Sequence, residues 1–278
     1  MDKERLRILL GDKPRFDVGV GSIGSPTRQF FMTGALHALK RRGVKAPRLL
    51  EIGSWIGFST FTWAHAIERF FDGRGTIVCI DPWEDYPFQN RFHGPELIQA
   101  YHGMLASGLA YDLFMHNVSQ LGRGVSVQPL RGRSEQLLPL LREKSFDLVY
   151  IDGDHAFEAV RGDIEASLPL LRPGGILCGD DLDLEYGQCD IDHAMKNRDA
   201  QPALDPKTGT VFHPGVTLAV NDLIGKVGNY LGFWGVTVEE RGLVPLNLDG
   251  ESCFFPEHVE AGESAAAFEF LKKLGPIA

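Results

Sequence analysis

LLEIGSWIGFST, residues 49–60, decides how the chain is to be read. Leu49, Leu50 and Ile52 leave no polar face around the single acid Glu51, the pattern of a short strand buried on both sides. Gly53 then permits a sharp turn and a close approach of backbone to a ligand. The stretch from Phe58 to Phe71 has helical spacing, so its first N–H groups would point at that ligand. The spacing Gly53-x-x-x-Gly57 is not the dinucleotide fingerprint G-x-G-x-x-G, because Ser54-Trp55-Ile56 interrupts it. A glycine turn after a strand is often structural only. Glu51 sharpens the reading, since a carboxylate two residues before the turn can hold a cationic group.

The same strand-like pattern recurs downstream in TIVCID (76–81), VSVQPL (125–130), FDLVYID (146–152) and GILCGDD (175–181). Helix-like stretches separate these runs at Glu96–Leu121, Ser134–Leu141 and Phe157–Leu171. Strands alternating with helices imply an α/β, doubly wound, mostly parallel sheet with helices on both faces. Residues 1–45 read as an N-terminal helical cap, and 46–278 as the main domain with lid insertions at about 84–122 and 183–214. The second insertion reads as a long loop rich in Asp, Pro, Gly and Asn. A helix over Val216–Leu231, strands near Val236–Glu240 and Ser252–Phe255, and a last helix in AAAFEFLKKLG are expected after it.

Open α/β sheets bind ligands beyond the carboxyl ends of their strands. Each run here ends in polar residues: Glu51, Asp81, Gly132-Arg133-Ser134, Asp152-Gly153-Asp154-His155 and Asp180-Asp181. Asp81 is placed to accept both hydroxyls of a ribose, or else caps the turn before Pro82. With the first strand it points to an adenosine-containing cofactor without saying which. Asp152, Asp180 and Asp181 can converge, and three like charges in a dry crevice require a neutralising cation. All-oxygen ligands select a hard ion: Mg²⁺ first, with Mn²⁺ or Ca²⁺ as alternatives. Asp154 is the reserve ligand, and capping of helix and loop starts is the structural alternative. His155, at a helix start, is the candidate general base, or simply a histidine hydrogen-bonded at a helix N-terminus. His213, in VFHPGV, reads as a surface or lid residue.

The composition is that of an ordinary globular domain, 44% hydrophobic and 23% charged, with a formal net charge of -9. An acidic balance disfavours nucleic acid and anionic lipid. Cys79, Cys178, Cys189 and Cys253 show no Cys-x-x-Cys spacing and read as reduced, mostly core residues. With no signal-like segment or membrane-length apolar run, the expected location is cytoplasmic.

Taken together, LLEIGSWIGFST, TIVCIDPW, RGRSEQLLP and LRPGGILCGDDL resemble the motifs of class I S-adenosylmethionine-dependent methyltransferases. The resemblance runs from about Leu49 to Leu182 and is nearest to the metal-dependent O-methyltransferases of the catechol and macrolide-sugar types. It implies a seven-stranded Rossmann-like sheet with S-adenosyl-L-methionine as cofactor. Glu51, Gly53 and Ser59 would line the methionine end, and Asp81 would take the ribose. Pro82 and Trp83 would lie near the adenine, with Ser134 and Glu135 at its edge. It also implies Mg²⁺ or another hard divalent cation on Asp152, Asp180 and Asp181, and a small hydroxylated acceptor. HPGVTLAV (213–220) resembles related bacterial enzymes less specifically. Trp55 stands where these motifs usually have a small glycine, and His155 where catechol-type enzymes carry a lysine base. Neither nucleic acid nor membrane is an expected partner, and a homo-oligomer is compatible with the sequence. An NAD-dependent oxidoreductase and a non-catalytic cofactor-binding regulator are the alternative classes; the missing G-x-G-x-x-G opposes the first and the acid cluster the second.

Overall fold

The computed structural model describes residues 11–16, 25–85, 94–122 and 124–273. Alternation in the strands builds the sheet. In β1 (Arg48–Ile52), β2 (Gly75–Asp81), β4 (Phe146–Ile151) and β5 (Leu171–Gly179), successive side chains enter opposite cores. Leu49, Ile77, Leu148 and Ile176 enter one core; Leu50, Val78, Val149 and Leu177 enter the other. Both faces are therefore apolar and both need helices over them. The first face is covered by α1 (Pro26–Arg41), α2 (Phe58–Phe71), α3 (Pro95–Ala106), α4 (Leu109–Val118) and α9 (Ala261–Lys273). The second is covered by the short α5 (Ser134–Leu137), α6 (Phe157–Ser167) and α8 (Pro214–Leu223).

With β3 (Val125–Arg131), β9 (Phe233–Glu239) and β10 (Gly242–Pro245), the strand order is β3-β2-β1-β4-β5-β9-β10. The first five strands are parallel and β9 runs antiparallel to β5. An eighth strand, β8 (Gly228–Tyr230), pairs with the start of β9 on the edge that β10 uses further along. The sheet is thus the expected Rossmann-like one, with one additional strand at its antiparallel end. Its order reverses direction of growth at β1 and β4, and the carboxyl ends of those two strands flank the crevice where such sheets bind ligands.

Three expectations about local structure are corrected. Residues 183–214 are not a featureless loop: they hold α7 (Ile191–Lys196) and a small hairpin, β6 (Ala203–Leu204) with β7 (Val211–Phe212), around Ala194 and Phe212. The helix expected to reach Leu231 stops at Leu223, where Gly225 at φ 79° breaks it. Ser252–Phe255 forms no strand. It crosses α1 instead, where Thr33 Oγ1 accepts the Phe254 N–H at 3.0 Å and Phe254 and Phe255 pack on Phe70 and Phe30.

Candidate active site

Gly53 sits where the first strand must turn within reach of its neighbour. Its N–H donates to Ile80 O on β2, and Asp152 N–H donates to Ile52 O, so the turn hangs between three strand ends. Gly53 has φ 85°, and a Cβ there would fall 2.0 Å from Asp152 O, so no other residue fits. Asn117 on α4, fully buried, donates to Ile56 O at 2.8 Å and ties the same turn to that helix.

Glu51 lies beneath this turn in one row across the first face, between Cys79 on β2 and Tyr150 on β4. Ser54 Oγ donates to its Oε2 at 2.9 Å; Thr60, Ser59 and the Cys79 thiol also hydrogen-bond to the carboxyl group. Burial raises its pKa, opposed by these bonds. Oε1 is buried with no hydrogen-bond partner among the described residues. Asp81 accepts the N–H groups of Ser54 (3.0 Å), Trp55 (2.9 Å) and Trp83 (2.7 Å), and burial raises its pKa to about 6 despite them. A carboxylate has about four acceptor sites, so some capacity remains for a hydroxyl.

The residues expected around an adenine fare unevenly. Pro82 is half-buried, and its carbonyl accepts from Arg131 Nε at 3.3 Å. Trp83 is a core residue, wholly buried against Tyr111 and Phe114, with its Nε1–H donated to Trp55 O at 2.6 Å. Trp55, whose carbonyl takes that bond, stacks its own indole on Tyr101 of α3 with ring centroids 4.5 Å apart. Ser134 hydrogen-bonds Asp163 on α6, a buried acid whose pKa desolvation lifts to about 7, and Glu135 is exposed.

At the ends of β4 and β5 the structure brings Asp152, Asp180, Asp181 and His155 into one cluster. Tyr150 OH donates to Asp152 Oδ2 at 3.1 Å and to Asp180 Oδ2 at 3.4 Å. His155 Nε2 lies 2.9 Å from Asp181 Oδ2 and 3.6 Å from Asp152 Oδ1, neither contact aligned as a hydrogen bond. Asp154 is turned away, accepting from Ala156 N–H and Gln201.

Two members of the cluster escape a reading of the sequence. Arg28, in the first turn of α1, places Nη1 2.8 Å from Asp180 Oδ1 and 2.5 Å from Asp181 Oδ1, and Nη2 2.5 Å from Asp183 Oδ1. His213 is no surface residue. Its Nδ1 lies 3.4 Å from Asp183 Oδ2 and 3.7 Å from Asp181 Oδ1, and its ring centroid is 4.6 Å from that of His155. The reason is packing. A Cβ on Gly215 would meet His155 O at 2.2 Å, so the start of α8 lies directly on the His155 turn and carries His213 with it. The only signal was the HPG triplet: a proline suited to a first helical position, then a glycine allowing close approach.

Residues 50–182 match the family described as Methyltransferase domain. Over those residues the chain is similar to a methyltransferase domain. Glu51, Gly53, Asp81, Asp152, His155, Asp180 and Asp181 all lie inside the matched stretch, whereas Arg28 and His213 lie outside it. Among solved structures, the O-methyltransferase NovP is similar over 77% of this chain and 80% of its own, with 17% identity and a TM-score of 0.51, a likeness of fold. Cofactor-bound Rv0187 from MTB aligns over 86% of this chain and 91% of its own, with 20% identity and a TM-score of 0.45. The uncharacterized protein y4gI of Sinorhizobium fredii (strain NBRC 101917 / NGR234) is 28% identical over 153 residues, 55% of this chain. The chain spans only 14% of that protein's length.

The electrostatics of this site follow from its crowding. Burial raises the pKa of Asp152 and Asp180, the latter in spite of Arg28. For Asp181 burial acts in the same direction, but His213, His155 and Arg28 overcome it and hold the carboxyl group well below its usual range. Burial would make His155 easier to deprotonate; Asp181 and Asp152 outweigh it and hold the imidazole well above its usual pKa. Asp181 is thus the anionic centre of the cluster. Among the described residues no helix is long and apolar enough to cross a membrane.

Proposed function

We propose that the protein transfers a methyl group from S-adenosylmethionine to an oxygen of a small hydroxylated acceptor, assisted by a divalent cation. The observation that carries this reading is the meeting of Asp152, Asp180, Asp181 and His155 at the ends of β4 and β5, beside the Gly53 turn of β1 and with Asp81 on β2 beyond it. When bound, the cofactor supplies an electrophilic methyl group on a sulfonium. The residues suit it: Glu51 Oε1 is a buried acceptor with no hydrogen-bond partner among the described residues, Gly53 leaves backbone bare, and Asp81 keeps acceptor capacity for a ribose hydroxyl.

A hard divalent ion fits the donor set. Asp152, Asp180 and Asp181 offer carboxylate oxygens, and among the described residues the ligand atoms of Asp181, His155 and His213 lie within 4.8 Å of one another, so Asp181 is the donor common to both sets. Those three aspartates would hold the ion, which would lower the pKa of a chelated hydroxyl. In the structure as it stands Asp152 and Asp181 hold His155 protonated; with those carboxylates committed to the ion instead, the imidazole would be the group placed to accept the hydroxyl proton. Tyr150 holds two of the carboxylates in place from below, and the fixed cluster orients the acceptor before reaction, where much of the barrier reduction arises. The α3–α4 and 183–214 segments, flanking the site, would exclude water.

Calorimetric titration with S-adenosylhomocysteine, with and without Mg²⁺, tests both sites at once. Asp152→Asn and Asp181→Asn should lower methyl transfer to polyhydroxylated acceptors, read by mass spectrometry, by roughly two orders of magnitude or more, with S-adenosylhomocysteine affinity nearly unchanged. Full turnover by chelator-treated protein would refute the role of the ion while leaving methyl transfer intact.

A further inference from the structure

Resting on that reading of the ion, we propose that Arg28 is the resident counter-ion of the acid cluster and that it exchanges with the divalent cation. Nη1 touches Asp180 Oδ1 and Asp181 Oδ1 together, so it stands at the point an ion shared by those carboxylates would occupy. An ion bonds such oxygens at about 2.0–2.6 Å, which leaves no room for a guanidinium nitrogen on the same two atoms. Arg28 is seated as a built part. Its Nε donates to Leu231 O at 3.1 Å, and the guanidinium lies against Gly232, at φ 99°, where a Cβ would come within 2.4 Å of Nη2.

Its chemistry also limits what it can do. With Asp180, Asp181, Asp183 and a carbonyl on its fork, Arg28 has little capacity left to bind an acceptor. It does what a cation in that position must do, which is to keep several carboxylates tolerable in a half-buried crevice. Arrival of the divalent ion removes that need, releases the side chain from the cluster, and couples metal loading to the first turn of α1. An ion that must displace Arg28 binds with its affinity reduced to the fraction of time the arginine is away from the cluster.

The test is Mn²⁺ binding to the full chain, followed by electron paramagnetic resonance and calorimetry. Arg28→Gln should bind Mn²⁺ about tenfold more tightly or better than the wild type, with Arg28→Lys in between. Asp181→Asn should lose most binding. In the wild type, Mn²⁺ should also increase modification of Arg28 by phenylglyoxal, read by peptide mass spectrometry; this decides the matter if Arg28→Gln fails to fold. Equal Mn²⁺ affinity in wild type and Arg28→Gln, or Mn²⁺ binding that leaves Arg28 labelling unchanged, overturns the exchange and spares the metal reading. Absence of Mn²⁺ binding in wild type and both Arg28 variants overturns the metal reading itself, and the exchange with it.

Discussion

At Gly53 two strand ends come so close that a single methyl group would collide with Asp152 O. Gly53→Ala therefore has to push β1 and β4 apart at the point where the cofactor side and the acid cluster adjoin. The expected result is a loss of about 2 kcal/mol or more in urea denaturation, with weakened S-adenosylhomocysteine binding in the same preparation. Residues of this kind are readable in a sequence because they sit at strand ends, where Glu51, Asp81, Asp152 and Asp180–Asp181 each follow an apolar run. Arg28 and His213 are not. Their partners lie 153 positions away for Arg28 and 30 for His213, and only folding brings helix starts against strand ends. Adjacency to Asp81 in the chain likewise says nothing about whether the Trp83 ring turns outward or into the core; here it turns inward.

Elements whose apolar period is unbroken, such as the core strands and Phe58–Phe71, are legible to within a few residues. Segments whose order comes from tertiary contact are not. Ser252–Phe255 has the β-branch-free but aromatic look of an edge strand, yet its backbone bonds to a side chain of α1. Thr33 Oγ1 accepts from Phe254 N and donates to Phe30 O at 2.7 Å, while His37 and Arg41 on the same helix both hold Glu251. Thr33→Val keeps the shape and removes the acceptor, orphaning the Phe254 N–H. It should cost about 1–3 kcal/mol, visible as a lower midpoint in thermal unfolding with the far-ultraviolet spectrum unchanged.

For the molecule as a whole, acid should be the stress that finds its weak joint. His258 joins the C-terminal segment to α2 and is enclosed by Phe16, Phe58, Phe61 and His65; burial, then His65, lowers its pKa to about 3. The ordinary value is about 6.5. Between those two values the unfolded chain takes up a proton that the folded chain refuses, so stability is complete above about pH 6.5 and declines as pH falls toward 3. Melting temperature measured from pH 8 to pH 4 should fall along that window. His258→Gln should give a flatter profile, and an identical slope in both proteins would remove His258 as the cause.

The first face of the sheet is filled by a helix that precedes it in the chain, with Met32 and Leu36 wholly enclosed, and the antiparallel margin of β5 is occupied by β9 from far downstream. The portion that matches the methyltransferase-domain family is consequently not an excisable module. Cut free at 50 and 182, it would bare a greasy flank and an unpaired strand margin, and would more readily stick to its own copies than stand alone.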